Sequence, residues 1–148
     1  MKKLFLTLAL CALMCALFVI GANAATTVTD DGSNVTLGNC TIANLNGVTI
    51  PSVTRGLQYS LDDETMTAAV SGRGSFTGGN LVFPSSVTYN EKTYTVTQIT
   101  ARLFQSLTYD LYIPDSVITL AGGNGSGTFG NSTIDKAYIG AGVKTFGR

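Results

Sequence analysis

The sequence predicts a mostly β protein: a short β-solenoid of two to three coils preceded by β-hairpins. Three observations carry this. One phrase occurs twice, as Leu111-Tyr112-Ile113-Pro114-Asp115-Ser116-Val117-Ile118-Thr119-Leu120 and as Ala137-Tyr138-Ile139-Gly140-Ala141-Gly142-Val143-Lys144-Thr145-Phe146, 26 residues apart. That is the period of a small unit that cannot bury its apolar side alone and must stack on a neighbour. A degenerate copy lies upstream, and ahead of it β-favouring runs alternate with polar turn residues.

Residues 1–24 read as a signal peptide, in which Lys2-Lys3 precedes an uncharged run from Leu4 to Ile20 and Ala22-Asn23-Ala24 offers an A-x-A cleavage site. An uncleaved membrane anchor is the rival reading, because the run approaches the length of a span. Cys11 and Cys15 lie inside it, so cleavage leaves Cys40 alone and excludes a disulfide framework within the monomer. Cys40 then reads as a small buried hydrophobe. The remaining 124 residues carry nine acidic and seven basic side chains. That balance is too even to suggest nucleic acid or an anionic membrane, so a membrane enters only through export.

Residues 25–55, rich in Thr, Asn, Gly and Ser, read as an irregular leader or cap. Residues 56–104 read as a β-hairpin region that includes the first, degenerate repeat. Gly56-Leu57-Gln58-Tyr59-Ser60-Leu61 alternates, Asp62-Asp63-Glu64 turns, and Thr65 to Val70 returns. Leu81-Val82-Phe83-Pro84 then matches Leu111 to Pro114 at an offset of 30, and Val96-Thr97-Gln98-Ile99 matches Val117 to Leu120 at an offset of 21. The nine-residue difference reads as a second hairpin, Thr88-Tyr89 and Lys92 to Val96 around the polar pair Asn90-Glu91.

Residues 105–148 hold the regular coils, the last one incomplete. In each, Leu111 and Ile113, or their counterparts, face inward from a short strand and Tyr112 faces the other way. Pro114 stops the strand by fixing φ and removing an amide hydrogen, and Gly140 turns the next copy through its backbone freedom. Val117 with Leu120, and Val143 with Phe146, bring apolar side chains back inside. Phe104 and Phe129, 25 apart, anchor the far wall.

These residues resemble the BspA-type leucine-rich repeat of bacterial surface and secreted proteins, whose units run "L-x-x-V-x-I-P-x-S-V-x-x-I-G-x-x-A-F" with "I-G-x-G-V" as a variant. Leu111 to Leu120 and Ile139 to Gly147 fit it, as does the lead-in from Thr67-Ala68-Ala69-Val70 through Gly79 to Phe104. The resemblance covers about residues 56–148. Leu120 and Phe146 stand where the pattern has Ile, and the loop Gly122 to Gly127 is long and glycine-rich. It implies leucine-rich-repeat coils, a secreted or cell-surface location, and adhesion to a protein or matrix component; fold, however, is a weaker guide to function than a site. The family pattern would continue past Gly147, so Ala137 to Ile139 is expected as an open parallel edge. A truncated product, or cover from another copy, a partner or further chain, would account for it.

The chemistry points away from catalysis. The chain holds no His and no Trp, which removes the usual general bases and zinc sites, and no G-x-S-x-G elbow occurs. Asp62-Asp63-Glu64 lacks the spacing of a calcium loop, and Gly122 to Gly127 lacks the Lys-Ser/Thr of a phosphate cradle. No cofactor and no metal are expected. The candidate binding face is an outward row of Val82, Tyr112 and Tyr138, about 4.8 Å apart, with Asp110 and Lys136 in a second row. The competing reading is that the tyrosines brace neighbouring strands. A protein or matrix ligand is the leading partner, a glycan on the tyrosine row the alternative, and a repeat fragment with only a structural role the third.

Overall fold

The computed structural model describes residues 25–123 and 127–147. The signal peptide, Cys11, Cys15, the middle of the glycine-rich loop and Arg148 lie outside them. Among the described residues, eleven strands and one short helix make up a mostly β fold with one large mixed sheet and one small parallel sheet.

The strands are β1 (Thr26–Thr29), β2 (Val35–Leu37), β3 (Gln58–Asp62), β4 (Thr67–Gly72), β5 (Gly79–Val82), β6 (Pro84–Tyr89), β7 (Lys92–Ile99), β8 (Thr108–Ile113), β9 (Thr119–Leu120), β10 (Thr133–Ile139) and β11 (Thr145–Phe146). The helix α1 is Thr41–Leu45. In the large sheet the order is β1-β3-β4-β7-β6-β2, with β9 on β7 and β11 on β9. The small sheet is β5-β8-β10.

Both expected hairpins form. β3 and β4 pair antiparallel around a turn in which Asp62 Oδ1 accepts from the amides of Glu64 at 2.9 Å and Thr65 at 3.1 Å. Such a side-chain acceptor replaces backbone partners that a tight turn leaves over. β6 and β7 pair antiparallel down to Tyr89 opposite Lys92, so Asn90-Glu91 is a two-residue loop. Both residues have positive φ, 48° and 63°. That is the backbone hand of a type I′ turn, which matches strand twist but suits Asn far better than Glu.

The offsets seen between repeats become strand register. Leu81 lies beside Leu111 and Val82 beside Tyr112 in β5 and β8, and Ile113 lies beside Ile139 in β8 and β10, all parallel. The second apolar pair follows suit, with Ile99 beside Leu120 and Leu120 beside Phe146. β8 and β10 run at an offset of 25 at Thr108/Thr133 and of 26 from Leu111/Ala137 on, with a bulge between. The bulge absorbs the one residue by which the Phe104–Phe129 spacing differs from that of the phrase.

Leu81, Leu111, Ile113, Val117, Ile99 and Leu120 share one core with Tyr59, Val70 and Val96 from the large sheet. Burial of each such side chain contributes about 1.5–3 kcal/mol. An aromatic cluster closes one wall. Phe104 meets Phe83 edge-on at 5.4 Å between ring centroids and lies 6.2 Å from Phe129, and Phe76 meets both Phe104 and Tyr109 at about 6 Å. Phe104 and Phe129 therefore anchor the same wall in successive units.

Two expectations change. Residues 25–55 are mostly irregular, as expected of a cap, but contain two short strands: β1, which extends the first hairpin by pairing with β3, and β2, which pairs with β6. Their short Thr- and Val-containing runs show no length of alternation by themselves and acquire strand structure from the edges they join. Gly140 has no left-handed φ, and proximity is what requires it: a Cβ there would stand 2.5 Å from the Pro114 carbonyl. Glycine lets one turn nest directly on the turn below.

Replacing Glu91 by Gly should stabilise the protein by about 1 kcal/mol, because it removes a side chain from a left-handed backbone position. Urea unfolding would show it as a raised midpoint at unchanged slope, and an unchanged midpoint would count against the type I′ reading.

Candidate binding surface

The tyrosine row is present in register. Val82 is paired with Tyr112 and Tyr112 with Tyr138, and the two tyrosine rings stack at 5.1 Å and 21°. All three side chains point away from the main core, as alternation along β5, β8 and β10 requires.

They do not form an open face. Val82 is 1% exposed and Tyr112 6%, while Tyr138 is half-buried. What covers them is the segment from Leu37 to Ile50: Leu37, Gly38, Cys40 and Ile50 close over Val82, Tyr112 and Pro114 around a narrow crevice. α1 lies against β10, and the Cys40 thiol is buried with its sulfur 3.6 Å from the Tyr138 carbonyl. Burial, with Asp110 and Tyr138 adding to it, pushes the Tyr112 hydroxyl above its usual range. The expectation of an exposed aromatic row is thus corrected at Val82 and Tyr112, because a parallel sheet with apolar side chains on both faces is covered on both.

The second row is also broken. Asp110 pairs with Asn80 in β5, but the bulge between Ile134 and Ala137 sets Asp135 and Lys136 together opposite it. Lys136 is exposed and Asp110 partly so. The spacings of 25 and 26 in the sequence imply one extra position, but they do not say that it falls at Asp135 and Lys136.

The cover is fastened by Asp115, a residue the sequence reading passed over. Its carboxylate accepts hydrogen bonds from the Thr41 amide at 3.1 Å and hydroxyl at 2.6 Å, from Asn39 Nδ2 at 2.6 Å, and from the Ala141 amide at 2.8 Å. Its own amide donates to the Asn39 carbonyl at 2.8 Å. Partial burial raises the carboxyl pKa, but the bonds from Thr41, Ala141 and Asn39 outweigh it and hold the group below its ordinary value. One side chain thereby ties the leader to two successive turns of the repeat. The available signal was Leu81-Val82-Phe83 and Leu111-Tyr112-Ile113, apolar on both faces and so demanding a second cover.

The acidic turn is occupied within the fold. Asp63 Oδ1 takes Lys92 Nζ at 2.8 Å and the Tyr94 hydroxyl at 2.6 Å, which joins the two hairpins and lowers the Asp63 carboxyl pKa. Among the described residues no helix is long and apolar enough to cross a membrane.

The face that does stand open is at the end of the stack. Leu111, Leu120, Phe129, Ile134, Ile139 and Phe146 line an apolar depression of about 380 Å³, and Phe146 is 64% exposed. No protein-family model, no curated protein and no solved structure matches the chain.

Replacement of Tyr112 by Ser should cost about 3 kcal/mol of stability, since it empties a covered, stacked position. Chemical denaturation measures this, and a loss below about 1 kcal/mol would return the row to a recognition role. Asp115→Ala should cost about 2 kcal/mol at neutral pH through its lost hydrogen bonds. Because the folded carboxyl titrates below the unfolded one, its contribution is full above about pH 4–5 and disappears as pH falls through the folded value. Unfolding curves of the wild type and of the Asp115→Ala variant should therefore converge in acid; a gap independent of pH would count against the tie.

Proposed function

We propose that the protein is an exported repeat module, a short leucine-rich-repeat β-solenoid of the BspA type, that binds another protein or a matrix component at the cell surface. The observation that carries the reading is the parallel pairing of the repeated phrase with itself, Ile113 beside Ile139 and Leu120 beside Phe146. Pairing at the repeat offset is what a stacked-coil architecture requires, and such architectures serve chiefly as binding scaffolds. Export rests on the residues before Ala25. The carbohydrate reading needed the tyrosine row as an accessible aromatic platform, and the burial of Tyr112 breaks that platform at its centre.

The test is expression of the full chain in a bacterial host followed by fractionation, N-terminal sequencing and binding to immobilised matrix and cell-surface proteins, with a glycan array in parallel. The expected result is a processed product beginning at Ala25, outside the cytoplasm, with saturable retention on protein and none on sugars. An unprocessed cytoplasmic product overturns export. Sugar-specific retention, or saturable retention on nothing, overturns adhesion.

A further inference from the structure

The segment that roofs the outer face of the small sheet is fastened at two places and free between them. At one end three consecutive residues hold it. Asn39 Nδ2 and the Thr41 hydroxyl each donate to the Asp115 carboxylate at 2.6 Å, and the Asp115 amide donates to the Asn39 carbonyl at 2.8 Å. The Cys40 sulfur lies beside them, 3.6 Å from the Tyr138 carbonyl. At the other end the Thr54 amide donates to the Val82 carbonyl at 3.0 Å, while its hydroxyl donates to the Asn80 carbonyl at 2.9 Å and accepts from the Val82 amide at 2.8 Å. From Ile42 to Val53, among the described residues, the hydrogen bonds stay inside the segment, as from the Asn46 amide to the Ile42 carbonyl and from the Val48 amide to the Ala43 carbonyl.

The segment also buries little. Of residues 38–53 only Cys40 and Ala43 are buried, and both are small. The large apolar side chains of α1 face the other way, with Ile42 40% and Leu45 78% exposed. Gly47, at φ 67°, ends the helix with no other part of the chain within 4 Å of where its Cβ would stand. Hydrophobic burial therefore contributes little to holding the segment down, and the hydrogen bonds gathered at Asp115 are its main attachment between β2 and Thr54. A stretch with few buried side chains and few bonds to the body opens at a lower free energy than the core beneath it.

We propose that residues 38–53 form a hinged strap, latched by Asp115, that swings off the small sheet while the rest of the fold stays intact. Closed, it covers Val82 and Tyr112 and encloses the Cys40 thiol. Open, it bares the row of Val82, Tyr112 and Tyr138 and brings that thiol into solvent. β2 on one side and Thr54 on the other remain in place, so the motion is confined to the cover and the repeat stack keeps its register.

Cys40 reports the motion directly. The purified full chain is treated with excess thiol reagent in a urea series below its unfolding transition, and mass spectrometry of the peptide carrying Cys40 separates it from Cys11 and Cys15. Unfolding curves of the same chain give the slope for global opening, about tenfold in the unfolding constant per 1 M urea for a protein of this size. Labelling of Cys40 is expected to be slower than that of a free thiol and to change by less than about twofold over the same interval, because a local opening exposes little surface. Asp115→Ala should speed it at least about tenfold. Labelling that climbs with urea along the global line, labelling at the rate of a free thiol, or an unchanged rate in the Asp115→Ala variant would each overturn the strap. Should that variant not fold, the urea series on the wild type decides alone.

Discussion

Main-chain pairing between consecutive copies of one phrase is the constraint on which the rest of the molecule depends. Parallel strands gain slightly less per residue than antiparallel ones and are found where both faces are dry. The small sheet meets that condition in two ways. Leu81, Leu111 and Ile113 turn into the common core, while Val82 and Tyr112 turn outward and are roofed by the leader. Without the roof, Val82 and Tyr112 would be an apolar stripe in water; without the core, three short strands would have nothing to hold their register.

The roof explains why residues 25–55, though mostly irregular, are held against the fold by two short strands and one short helix. β1 and β2 extend the large sheet at two places, and between β2 and β3 the chain crosses the outer face of the small sheet. Asp115 fixes that crossing. It sits where the repeat turns, so its carboxylate can reach Thr41 and Asn39 on one side and Ala141 of the next unit on the other. A short acidic side chain in a turn is ordinary; one that accepts from the leader and from the next repeat couples the leader's position to the stacking of the repeats.

The two ends of the stack differ in the same physical terms. Thr54 satisfies the outer edge of β5 with one side chain and one amide, whereas among the described residues β10 is paired only with β8 and β11 only with β9, beside an apolar depression. The bulge in β10, with Asp135 and Lys136 exposed on it, limits how much of that edge can pair.

Much was legible in the amino-acid sequence, and for one reason. Period and alternation are local properties, so the offsets of 30, 26 and 21, the two hairpins and the inward set of Leu111, Ile113 and Val117 could be read from the residues alone. The accessibility of the tyrosine row could not. Whether Val82 and Tyr112 meet solvent depends on a segment far away in the chain, placed by edge pairing and by the Asp115 hydrogen bonds. The bulge that separates Lys136 from Asp110, and the closeness that demands glycine at position 140, were likewise decided in three dimensions, because both arise from how one unit seats on the next.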